Sequence, residues 1–98
     1  MSAFQTWAVS PPVPVPACPE GQDERAHRLR VLADRAKYLA SAIEASLRAC
    51  DARASLTPGS SRARVTSANA KWARAAEDRD RAERNFDEAL TAAGYVAA

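Results

Sequence analysis

Two cysteines, one histidine and the carboxylates beside it are the residues of this 98-residue chain whose types suit covalent or metal chemistry. Cys18 and Cys50 form an even number, the arithmetic of a disulfide. The segment between them reads as helix, which sets them roughly 45 Å apart at the helical rise. A disulfide needs Cα atoms within about 7 Å, so both thiols are expected free and reduced. Cys50 continues an apolar helical stripe and reads as a small buried hydrophobe. His27 has no Cys or His at ligand spacing, so no metal site is expected. Asp23 and Glu24 beside it read as first-turn partners of a helix dipole, and His27 itself as a solvated surface side chain. The three glycines are scattered, which excludes a phosphate-binding loop. No nucleophile–base–carboxylate set can be assembled around one histidine on two helices. The sequence therefore predicts no enzyme, no cofactor, no metal and no small-molecule substrate.

A second kind of chemistry, anion binding, is suggested by Arg48, Arg53, Arg62 and Arg64. They cluster with Lys71 around a predicted turn, opposed locally by Asp51 alone. Such a tip could meet nucleic-acid phosphate. It lacks interleaved aromatics for stacking on bases, and a solvated tip or contact with an acidic protein patch is the simpler expectation. The formal net charge is only +2, so no large single-sign field steers polyanions to the molecule.

These residues must be positioned by helices. From Glu20 onward, Leu29, Leu32, Ala36, Leu39, Ile43, Leu47, Cys50 and Ala54 recur at spacings of three and four. Pro19 suits a first helical position. Thr57, Ser60 and Ser61 follow Leu56 as candidate N-caps around a Pro-Gly turn. Beyond them a heptad runs through Val65, Trp72, Arg79, Phe86 and Ala93, with Ala68, Ala75, Ala82 and Ala89 three residues further on. Gly94 is placed to stop this helix, with Tyr95 folding back toward Leu90. The fold class is all-α: an antiparallel, coiled-coil-like two-helix hairpin with an extended Pro-rich N-terminal arm. The arm spans 1–19 and the hairpin 20–98, with helices at about 20–54 and about 61–93 and a turn at about 55–60.

Leu29, Leu32, Leu39, Ile43 and Leu47 of the first helix and Val65, Trp72, Phe86 and Leu90 of the second are the expected hairpin core. Ser46 is the expected gap opposite Trp72. Arg79 stands within the apolar row and is expected to lay its stem on the seam and reach a carboxylate or water. Leu, Ile, Val and Phe together number only 15, and alanine contributes little buried area. A hairpin this poor in large side chains leaves apolar surface for something else to cover.

The first nineteen residues, MSAFQTWAVSPPVPVPACP, carry no charge. Their prolines favour the stiff polyproline II conformation. Two P-x-x-P spacings occur without the basic residue that commonly flanks ligands of SH3 domains. Phe4, Trp7, Val9, Val13 and Val15 make the arm a candidate partner-binding strap. The segment lacks the basic and continuous apolar regions of a signal peptide, and no stretch has the length of a transmembrane span. A cytoplasmic or virion setting is expected, with no membrane contact.

In size and architecture the chain resembles the WXG100 family of secreted bacterial helical hairpins. That family's Trp-x-Gly turn is missing, the turn here reading LTPGS, and Trp72 lies inside the second helix. Its C-terminal Tyr-x-x-x-Asp/Glu signal is missing as well, because Val-Ala-Ala follows Tyr95. The resemblance implies a secreted hairpin in a one-to-one heterodimer.

Arg outnumbers Lys twelve to two and alanine is abundant, a bias typical of GC-rich bacteria and their phages. The leading expectation is a non-enzymatic structural protein that oligomerises or docks on a larger protein partner through hairpin and arm, with a phage particle as a natural setting. The alternative is a small regulator that binds nucleic acid or the transcription machinery through the basic turn.

Overall fold

The computed structural model describes residues 11–95. Two helices of equal length, α1 (Glu24–Ala54) and α2 (Arg62–Ala92), pack against each other as an antiparallel hairpin. Each has 31 residues, about 46 Å at the helical rise.

α1 begins four residues later than its carboxylate-rich approach suggests. Gln22 N–H donates to the carbonyl of Pro19 at 3.2 Å, and Gly21 between them has φ +83°. This tight turn needs a left-handed residue at its third position, which glycine adopts at no steric cost. Pro19 therefore opens a turn rather than a helix. Asp23 is the N-cap, its carboxylate accepting from Ala26 N–H at 3.1 Å. Of the acidic residues expected to favour the dipole, Glu24 alone stands in the first turn.

Of the three hydroxyls after Leu56, Ser61 caps α2 by accepting from Arg64 N–H at 3.1 Å. The other two close the turn on itself: Thr57 N–H donates to Ser60 Oγ, and Ser60 N–H to the Thr57 carbonyl. At the far end, Gly94 N–H donates to Thr91 O and Tyr95 N–H to Leu90 O. With Gly94 at φ +90°, this is the full Schellman pattern. A Cβ at Gly94 would meet nothing within 4 Å, so its cost is purely conformational. Gly94→Ala is expected to lower stability by about 1 kcal/mol. A shifted urea midpoint at unchanged slope would show it.

The seam uses the α2 heptad as the sequence predicts, with the alanine row innermost: Ala68, Ala82 and Ala89 are buried. On α1 the seam is narrower and rotated. Leu32, Leu39 and Ser46 lie seven apart, with Arg35, Ala42 and Ala49 three further on, and Ala42 and Ser46 are buried. Leu32, Leu39, Val65, Phe86 and Leu90 are half-buried. Four expected core residues are not buried: on α1, Leu29 is 37% exposed, Ile43 38% and Leu47 58%, and on α2 Trp72 is 39% exposed beneath the Arg53 guanidinium. Cys50, expected buried, is exposed as well.

The reason is a difference of period. A straight-helix stripe of period 3.6 merges two neighbouring rows, whereas two wound helices follow a period of 3.5 and select one of them. Arg35 reaching the Asn85 carbonyl and Arg53 lying over the Trp72 ring tie the two helices together at their two ends. Ser46 is buried in the seam. No large side chain is fully buried among the described residues.

Candidate functional site

The surfaces available for function are the arm, the basic turn and the outer face of α1. Phe4, Trp7 and Val9 lie outside the described residues. The rest of the arm runs back along the open end of the hairpin. Polyproline-like chain makes no internal hydrogen bonds, so its polar groups look outward. Val13 N–H donates to Asn85 Oδ1 of α2 at 2.8 Å. Arg35 of α1 donates from Nη2 to the Pro14 carbonyl at 3.2 Å and from Nη1 to the Asn85 carbonyl at 2.9 Å. His27 Nε2 donates to the Pro16 carbonyl at 2.9 Å.

Residues 13–16 are therefore held in cis by both helices. Val15 is half-buried, while the Val13 side chain remains 54% exposed. His27 is not the free surface residue its sequence context suggests; it is half-buried and holds the arm. Arg35, which the apolar stripe passes over in favour of Ala36, joins all three segments. The one available signal was its position four residues before Leu39, on the seam of a period-3.5 helix. Both cysteines are free, Cys18 half-buried near the end of the arm with its thiol donating to the Gln22 carbonyl at 3.5 Å, and Cys50 on the outer face.

The basic residues of the turn do not converge on one point. Arg53 lays its guanidinium over the Trp72 ring, 4.3 Å from the centroid, a contact worth about 0.5–1 kcal/mol at an exposed site. It thereby covers part of a Trp that is 39% exposed. Arg48 lines an open groove of about 310 Å³ with Lys71 and Arg74, floored by Ala45, Ala49, Ala52 and Ala75 and closed on one side by Asp78. Arg64 and Lys71 line a second, smaller depression of about 230 Å³. Arg62 is exposed at the start of α2, where the first turn holds no acidic residue.

No family model, curated protein or solved structure matches the chain. The arrangement of its own residues therefore carries the functional argument. Arg79 stays in the seam with its Nε buried, 3.6 Å from Glu83 Oε1. That distance makes an ion pair rather than a hydrogen bond. Its stem fills the seam opposite Ala42, as its place in the heptad implies. Among the described residues no helix is long and apolar enough to cross a membrane.

The outer face of α1 is the most distinctive surface. Leu29, Ala36, Ile43 and Cys50 fall seven apart, and Ala33, Ala40, Leu47 and Ala54 form the adjoining row. All eight positions are uncharged and all but Ala36 are exposed. This is a second heptad seam beside the one that α2 occupies. The corresponding rows of α2 read Asn69, Ala76, Glu83 and Leu90, and Thr66, Ala73, Asp80 and Asp87, so both carry charge.

Proposed function

We propose that this chain is a non-enzymatic assembly element, a helical hairpin that joins proteins through an apolar helix face. The observation that carries the reading is the placement of its large apolar side chains. Alanines fill the seam, while Leu29, Ile43 and Leu47 stand in solvent on one continuous face of α1. Contiguous apolar surface of this kind marks association sites, and a small domain with so few large buried side chains gains stability from a partner.

The arm serves as a strap whose described part braces the open end of the hairpin, leaving the outer face of α1 clear. A multi-subunit particle such as a virion is a setting that uses small subunits in this way. The test is the mass of the native complex recovered from the source cells. A mass well above that of one 10.5 kDa chain, with the added components identified as protein, is expected. Recovery as a single free chain throughout would refute the proposal.

A further inference from the structure

We infer that the outer seam of α1 is occupied by the same seam of a second copy, running antiparallel about a two-fold axis at Ala40. This names the partner within the assembly reading above and rests on it.

Three features of the seam share that centre. First, an antiparallel copy pivoting at Ala40 sets Leu47 against Ala33, Ile43 against Ala36 and Leu29 against Cys50 of the second copy, within one residue's rise. Each large side chain meets a small one, the complementarity that lets helix axes approach closely. A parallel copy in register would set Ile43 on Ile43 and Leu47 on Leu47, and alanine on alanine between them.

Second, the row that borders the seam on its solvent side reads Arg30, Lys37, Glu44 and Asp51, again seven apart. Its first half is basic and its second half acidic. In the antiparallel arrangement Arg30 faces Asp51 of the second copy and Lys37 faces Glu44. In a parallel pair this row would face the opposite flank, Leu32, Leu39, Ser46 and Arg53, and its charges would find no such complement. Flanking charges of this kind choose partner and direction.

Third, among the described residues nothing covers the seam. The arm bonds to His27, Arg35 and Asn85 on the other side of α1, and seven of the eight seam residues are exposed. The result is a four-helix assembly with the two α1 helices at its centre and the two α2 helices outside. Isologous two-fold contacts are the commonest way a soluble chain self-associates.

The experiment is a disulfide trap in the full chain. Leu29→Cys is combined with Cys18→Ser, leaving Cys50 as the one other cysteine of the chain. Residues 29 and 50 of one α1 lie about 31 Å apart at the helical rise, far beyond disulfide reach, so a bond between them must join two chains. Mild oxidation is expected to give a dimer whose digest contains the 29–50 cross-linked peptide. A non-reducing gel that stays monomeric overturns the inference, as does a dimer linked only 29–29 or 50–50.

A charge exchange tests the same arrangement with no cysteine added. Lys37→Glu is expected to weaken the dimer about tenfold by sedimentation, and Lys37→Glu with Glu44→Lys to restore it. Unchanged circular dichroism keeps folding out of the comparison. A wild-type chain that sediments as a monomer, yet is recovered from cells in a stable complex with other proteins, overturns self-association while leaving the assembly role standing. A monomer that forms no such complex overturns both.

Discussion

Ala82→Asp is expected to abolish the hairpin. Ala82 is 1% exposed in the seam between the two helices. A carboxylate there loses its water, and the nearest guanidiniums, Arg35 and Arg79, are already engaged with the Asn85 carbonyl and Glu83, so the cost is several kcal/mol. A domain of this size holds only about 5 kcal/mol in reserve. Far-UV circular dichroism at 25 °C should show most of the helical signal gone. Ala70→Asp, at an exposed position of the same helix, is the control and should retain the signal. Equal melting of the two variants would mean that the seam lies on another face.

Arg35→Ala should have the next largest effect, through two segments at once. The guanidinium bonds the Asn85 carbonyl of α2 and the Pro14 carbonyl of the arm. Charged hydrogen bonds of this type contribute about 1.5–3 kcal/mol each. Loss of both, with some compensation from water, should lower stability by about 2–3 kcal/mol. Release of the arm should also speed hydrogen exchange at the Val13 amide, which Asn85 Oδ1 holds. Arg35→Lys should recover little, because one ammonium cannot span two carbonyls as a planar fork does. A normal urea midpoint together with unchanged Val13 exchange would show that Arg35 is incidental.

α2 was legible almost residue by residue. Its heptad, its Ser61 cap and its Gly94 stop are all local signals, and the structure uses each of them. α1 was legible as a helix but not as a face. Its apolar residues belong to two adjacent seams, and only the position of α2 decides which is filled; that is a tertiary fact absent from the local pattern. Leu29, Ile43 and Leu47 were assigned to the wrong seam for this reason. The start of α1 was missed because Pro19 was read as a first helical position while Gly21 was passed over as a turn residue. The bonds from His27 and Arg35 to the arm join positions distant in sequence through carbonyl groups. Carbonyls are common to every residue and leave no trace in residue type.

The prolines of the arm have a consequence for how safely the chain can be handled at high concentration. An extended segment on a protein surface is a template on which another extended chain can pair, and sheet growth begins there. Such growth needs a row of amide donors. Pro11, Pro12, Pro14 and Pro16 have none, and the donor of Val13, set among them, is already held by Asn85. The segment can therefore stay extended and apolar with the Val15 amide the one other donor between these prolines, too few for a ladder. Replacing these prolines with valine would keep the hydrophobicity and restore the donors, turning a bracing strap into a nucleus for fibrils.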